Sequence, residues 1–222
     1  DVSILKDLSD KVTTIDLSGN NLKELPEGLL DHATNLVNFY IESNYISKIP
    51  KNFFKNNKQL DWISFAGNSI TEIGADEVSG LENLRLLDFS SNDITKVDEN
   101  ALKGLTKLEQ LTFGENLLKS LPENVFKPVE NCLESISLYS NGFTKIPSGI
   151  EKLVKLKALS MFDNELSDIS DFDFSHLVKL DELDLQYNVI NKIGKKAFAN
   201  NTNLTSLDLY DNQLTDFDVD ML

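Results

Sequence analysis

The chain has 222 residues and a mass of 24.9 kDa, with 41% apolar and 26% charged residues, which is too apolar for a disordered polymer and fits one long domain or two compact ones. Lys and Arg number 21 against 36 Asp and Glu, and the resulting charge of −15 repels phosphate backbones and anionic headgroups, so nucleic acid and membrane surfaces are poor partners. No apolar run reaches the roughly 18–20 residues of a membrane-spanning helix, and the single cysteine, Cys132, excludes an internal disulfide or a cysteine-based metal cluster within this sequence.

In chain order, Leu5 and Leu8 come first, placed before Val12 as Phe126 and Val129 are placed before Leu133, so residues 1–11 read as the tail of a preceding repeat. From Val12 a unit recurs. Asparagines stand at Asn20, Asn44, Asn68, Asn92, Asn116, Asn141, Asn164, Asn188 and Asn212, 24 residues apart except for one interval of 25 followed by one of 23. Each is embedded in the pattern LxxLxLxxNxL, as in VTTIDLSGNNL, LVNFYIESNYI, LEQLTFGENLL and LTSLDLYDNQL, and its four apolar positions hold Leu, Ile, Val, Phe or Met in every unit. Alternation at the fourth and sixth positions predicts a short strand with one face buried in each unit.

Five residues after each Asn comes a second apolar position: Leu25, Ile49, Ile73, Val97, Leu121, Ile146, Ile169, Ile193 and Phe217. Pro or Gly often follows (Pro26, Pro50, Gly74, Pro122, Pro147, Gly194), and because proline cannot donate to a ladder the chain is expected to turn there. Leu30, Phe54, Leu102, Phe126, Ile150, Phe174 and Phe198 are expected to fill the core from the outer side, among short helical or irregular turns.

These residues resemble the leucine-rich repeat superfamily in its 24-residue form, LxxLxLxxNxLxxLPxxxFxxLxx, over essentially the whole chain. The resemblance implies an α/β right-handed solenoid, bent into a horseshoe, with nine short parallel strands on the concave face and an irregular or short-helical convex side. It is similar to the ectodomains of Toll-like receptors, variable lymphocyte receptors, Slit-type guidance proteins and secreted insect immune proteins. A secreted or cell-surface setting in innate immunity or cell-surface recognition is therefore implied, with a cytoplasmic scaffold as the alternative. Physical reasoning supports the same architecture, since one 24-residue unit cannot bury its own stripe and a stack can. The expected organisation is a single domain over 1–222, with nine repeats in 12–222. The last repeat is expected to be incomplete and without cysteine-rich caps, and both ends are read as cut mid-repeat, the first from Leu5 and Leu8 and the second because Leu222 stands where the second unit has Phe54. The nine asparagines are expected to form a ladder that satisfies backbone groups where each strand bends away.

On such strands the third, fifth, seventh and eighth template positions face the concave surface. Acids occupy this face at Asp16, Glu42, Asp88, Glu115, Asp163, Glu182, Asp184, Asp208 and Asp211, with no Lys or Arg among its 36 positions. Aromatics stand at Tyr40, Trp62, Tyr139, Phe162, Tyr187 and Tyr210, interleaved with small residues such as Ser64, Ser90, Gly114 and Ser137. Rigid rings among Ser and Gly are the composition of a protein-binding surface, although aromatics also favour strands for their own sake. The expected partner is a protein with exposed Lys or Arg, bound without a cofactor. The other reading is an assembly scaffold, a dimerisation surface or matrix spacer, with recognition left to flanking domains.

Other features read as structural. Four residues after each Asn stand Glu24, Lys48, Glu72, Lys96, Ser120, Lys145, Asp168, Lys192 and Asp216, a column alternating in sign that places opposite charges side by side along one flank. Asp184 beside Asp208 has the carboxylate density for calcium, but a solvated acidic patch is the commoner arrangement and no metal is assigned. His32 and His176 lie six units apart on the outer arc, and with no P-loop, GxSxG, GxGxxG or HExxH motif an enzyme is not expected. Cys132 reads as a buried thiol, or one that pairs with another chain. Two glycosylation sequons begin at Asn200 and Asn203.

Overall fold

The structure, a computed structural model, describes residues 11–216. The expectations placed on Leu5, Leu8, Phe217 and Leu222 lie outside these residues. Thirteen strands follow in order: β1 (Thr14–Asp16), β2 (Asn38–Tyr40), β3 (Trp62–Ser64), β4 (Glu72–Ile73), β5 (Leu86–Asp88), β6 (Lys96–Val97), β7 (Gln110–Thr112), β8 (Ser135–Ser137), β9 (Ala158–Ser160), β10 (Asp168–Ile169), β11 (Glu182–Asp184), β12 (Lys192–Ile193) and β13 (Ser206–Asp208). Nine form one parallel sheet in the order β1-β2-β3-β5-β7-β8-β9-β11-β13, as the nine-fold pattern predicts. Among the described residues helix is confined to two 3-10 turns, Lys127–Val129 and Ile150–Lys152.

Each main strand has three residues, and its middle one is the apolar residue that faces the core. Ile15, Phe39, Ile63, Leu87, Leu111, Ile136, Leu159 and Leu183 are buried while most of their neighbours face outward. Register repeats from turn to turn, Ile15 against Phe39 and Phe39 against Ile63, so equivalent side chains stack into continuous columns. At the sixth template position Phe65, Phe89 and Phe113 stack at centroid distances of 5.7 and 5.6 Å. Leu30, Phe54, Leu102, Phe126, Ile150, Phe174 and Phe198 close the core from the outer side, each buried. Full burial of such a side chain contributes about 1.5–3 kcal/mol, and most of it is interface between repeats.

The asparagines tie consecutive turns together. Asn68 Nδ2 donates to Ile41 O of the preceding repeat (2.9 Å) and to Phe65 O of its own (3.0 Å), while Oδ1 accepts from Ile46 N–H (2.9 Å). The same set recurs at Asn44, Asn92, Asn116, Asn141, Asn164, Asn188 and Asn212. Asn20, at the first described turn, is exposed and bonds Leu17 O and Ser18 O.

The flank departs from expectation in an instructive way. Beyond the turns predicted there, two small parallel sheets form, β4 with β6 and β10 with β12. They occur in the repeats where the residue after the flank's apolar position is not proline. Asp98 N–H donates to Ile73 O and Gly194 N–H to Ile169 O, both at 2.8 Å. Pro26, Pro50, Pro122 and Pro147 have no N–H to offer, and no such strand forms beside them. In the two remaining repeats the N–H is met by a carboxylate three residues on: Ser170 N–H donates to Asp173 Oδ2 (2.7 Å), and Gly74 N–H to Glu77. In its column Glu77 is flanked by apolar Phe53 and Ala101 in the neighbouring repeats. It is 9% exposed, its Oε2 has no partner, and burial pushes its carboxyl up from the ordinary value of 4.5.

Candidate recognition face

A second regularity shapes the face. Every residue directly before a ladder asparagine, namely Gly19, Ser43, Gly67, Ser91, Glu115, Ser140, Asp163, Tyr187 and Asp211, has a left-handed backbone with φ between +48° and +68°. The chain must reverse there to feed the asparagine amide inward, and seven of these nine residues are not glycine, each held at a cost of roughly 1 kcal/mol.

The six predicted rings do not form one band; the structure sorts them into two groups. Tyr40 and Trp62 make an edge-to-face pair at 5.1 Å near one end. Tyr139, Phe162, Tyr187 and Tyr210 make an unbroken row across repeats six to nine, with successive centroids 6.1, 5.5 and 5.4 Å apart. Trp62, Tyr187 and Tyr210 are exposed, whereas Tyr40, Tyr139 and Phe162 are half-buried against the wall and offer only part of each ring. Tyr139 lies flat over Gly114, where a Cβ would come within 2.1 Å of its Cε1, so that glycine is what lets the ring lie down. Burial and the nearby carboxylates of Glu115 and Asp88 raise the Tyr139 phenol; burial, Glu42, Asp16 and Asp61 do the same to Tyr40.

The acids share the work of holding the frame. Asp16, Asp88, Asp184 and Asp208 each accept the N–H two residues on, from Ser18, Ser90, Gln186 and Tyr210, at 2.8–3.2 Å, closing the strand ends. Glu115 accepts from Ser91 Oγ (2.6 Å) and Asp163 from Ser140 Oγ (2.8 Å). Each carboxylate keeps an oxygen beyond these bonds. Glu42, Glu182 and Asp211 carry no such constraint in the hydrogen bonds described. Ser64 and Ser90, expected as open small contacts, are instead 0% and 9% exposed, and the Ser90 hydroxyl donates to Asp88 Oδ1 (2.7 Å). Below the aromatic row Ser137, Ala158 and Ser160 floor a trough of about 320 Å³ bordered by Glu182, Asp184 and Asp208. Asp184 pairs in register with Asp208, yet no three His, Cys, Asp or Glu side chains among the described residues converge as a metal ion requires.

Elsewhere the side chains fall in less active places. The alternating flank column brings Glu72 into register with Lys96 and Asp168 with Lys192, while the closest ion pairs lie on the second template position, which the sequence reading passed over. There Arg85 grips Asp61 with two bonds of 2.5 and 2.8 Å, Lys157 Nζ meets Glu134 at 2.7 Å, and Thr205 bonds Asp181. The signal was a further alternation of sign at Asp61, Arg85 and Glu109. Cys132 is half-buried rather than buried, with Sγ 3.5 Å from Val129 O, and burial raises its thiol. His32 and His176 are exposed on the outer arc. Asn200 and Asn203 are exposed, their amides donating to Ser175 O (2.9 Å) and Val178 O (2.6 Å).

Comparison with known proteins agrees with this architecture. Family profiles described as leucine rich repeat match residues 11–32, 34–94, 83–131, 131–190 and 179–222. No curated protein sequence matches the chain. Among solved structures, a chain of the glycosylated Toll–Spatzle complex of Drosophila aligns with a TM-score of 0.84 at 26% identity, covering 91% of this chain and 27% of that one. A chain of the octameric complex of latrophilin 3, Unc5D and FLRT2 aligns at 0.69 and 25% identity, covering 91% and 68%. TLR13 in complex with ssRNA13 aligns at 0.76 but 22% identity, over 98% of this chain and 34% of that one, a likeness of fold alone. The chain thus spans about a quarter of the Toll-complex chain it matches. No helix among the described residues is long and apolar enough to cross a membrane.

Proposed function

The chain belongs to the leucine-rich repeat family, and from that premise we propose that it is a non-enzymatic recognition module whose sheet face engages a protein with exposed Lys or Arg. One observation carries this reading: a row of four contacting rings, Tyr139 to Tyr210, beside a face that holds nine acids and no base. Rings of this kind supply large contact area at low entropic cost, and the acids attract and orient a cationic partner. Nucleic acid is disfavoured by the same charge. The Toll and FLRT2 structures are of protein complexes, which fits a secreted or cell-surface setting in immune or cell-surface recognition.

Titration with a labelled Lys/Arg-rich peptide library tests the proposal. Selected peptides should bind the parent chain, weaken about 10- to 30-fold with Tyr187→Ala, as loss of a central ring anchor does, and weaken with added salt. Binding indifferent to Tyr187→Ala and Trp62→Ala, combined with a change of sedimentation behaviour in those variants, would favour the assembly scaffold instead.

A further inference from the structure

The upstream edge of repeats seven to nine, the side from which the main strands are fed, carries two unexplained observations. Val154 and Val178 occupy the same position in adjacent repeats and are 45% and 49% exposed, a small apolar step on an otherwise polar edge. Beside Val178 lies an open polar groove of about 430 Å³, lined by Lys157, Lys179, Asp181, Asn203 and Thr205. Asn203 and Thr205 are the first and third residues of a sequon, and both line this groove.

We propose that Asn203 is an N-glycosylation site whose first sugars lie in this groove beside Val178, with Asn200 a second acceptor on open surface. The face is separate from the aromatic row, and the modification depends on passage through a secretory pathway. The amide of Asn203 has two hydrogens. One is donated to Val178 O at 2.6 Å, and the other is the one a sugar replaces. In the transfer, a lipid-pyrophosphate-linked oligosaccharide loses its C1–phosphate oxygen bond, C1 bonds to Asn203 Nδ2, and the displaced proton leaves with the released lipid pyrophosphate. The folded sequon is pinned, since Thr205 N–H donates to Asp181 O (2.9 Å) and its hydroxyl bonds the Asp181 side chain. Transfer therefore precedes the docking of repeat nine onto repeat eight. Asparagines elsewhere fit such a role poorly: Asn57 and Asn201 are buried between turns, and none of the ladder asparagines begins a sequon. Lys179 and Asp181 supply the polar partners a saccharide needs, and the apolar face of the sugar covers Val178.

The chain expressed behind a secretion signal in insect or mammalian cells provides the test. Secreted protein should carry glycans at Asn200 and Asn203, identified by peptide masses after amidase release. Thr205→Ala should lose the Asn203 glycan while leaving that asparagine in place, Thr205→Ser should keep it, and Asn200→Gln should remove only the other. Under native conditions an endoglycosidase should trim the sheltered Asn203 glycan at least about fivefold more slowly than the Asn200 glycan, a difference abolished in urea. Secreted, folded protein with an unmodified Asn203 overturns the site, and equal native trimming rates overturn its seat in the groove. Neither result bears on peptide binding at the aromatic row, which is measured separately on protein refolded from bacteria.

Discussion

After the flank's apolar position, repeats one to four carry Pro26, Pro50, Gly74 and Asp98, and repeats five to eight carry Pro122, Pro147, Ser170 and Gly194. Three residues further on stand Leu29, Phe53, Glu77 and Ala101 in the first set and Val125, Ile150, Asp173 and Ala197 in the second. Proline, proline, a carboxylate-capped turn and a cross-repeat bridge thus occur twice in the same order, and β4–β6 and β10–β12 are the two bridges. The faces of the same halves differ: a Tyr40–Trp62 pair in one, the start of a four-ring row in the other. The flank answers to backbone groups that every turn must satisfy, whereas the face rings answer to no backbone group, and the face acids do so only in part, where Asp16, Asp88, Asp184 and Asp208 close their strand ends.

The sharpest way to break this comparison is at the ladder. Asn68→Ala and Asn164→Ala each remove one buried acceptor and the same amide donor from equivalent turns, and each should cost about 3 kcal/mol by urea unfolding. Costs differing by more than about 1 kcal/mol would show that the halves are not equivalent frames. Exposed Asn20→Ala should cost less than about 1 kcal/mol.

A smaller effect belongs to the face. Gly114→Ala should lift Tyr139 from the wall at a cost of about 1–3 kcal/mol, read as a changed near-ultraviolet tyrosine signal with the far-ultraviolet spectrum intact. An unchanged signal would mean that the ring does not depend on the missing side chain.

The smallest effect concerns the first carboxylate cap. Burial raises the Glu77 carboxyl above its ordinary 4.5, so the folded chain binds that proton more tightly than the unfolded chain does. The anion is then a net cost above the folded pKa, and this cost is relieved as pH falls through that value towards 4.5. Glu77→Gln keeps an acceptor for Gly74 N–H and should stabilise the protein by less than about 1 kcal/mol at neutral pH, with the gain shrinking on acidification. A loss of stability at neutral pH, or a gain that grows in acid, would contradict the assignment.

Strands, core columns and ladder were legible in the sequence because each rests on a residue type recurring at a 24-residue interval, and stacking turns that interval into contact. The minor sheets were half legible. Pro50 and Pro147 announced where no bridge forms, but the meaning of Asp98 and Gly194 depends on a carbonyl one repeat away, at Ile73 and Ile169. The grouping of the rings was not legible, because Tyr187 stands one template position after Tyr139, Phe162 and Tyr210 yet joins their row through the left-handed backbone at that place. Nor did the sequence say that Asp88 and Asp208 spend one oxygen on closing their own strand ends.

That left-handed column has a consequence for anyone wishing to diversify this surface. Substitution at exposed third and seventh positions, such as Trp62 and Tyr210, alters what the wall displays at little conformational expense. Randomising the residue before each asparagine would fill a library with β-branched side chains that this dihedral rejects, and many of its clones would fail before they met a target. Tyr187 already sits at that limit, so the parent sequence is best kept there and varied around it.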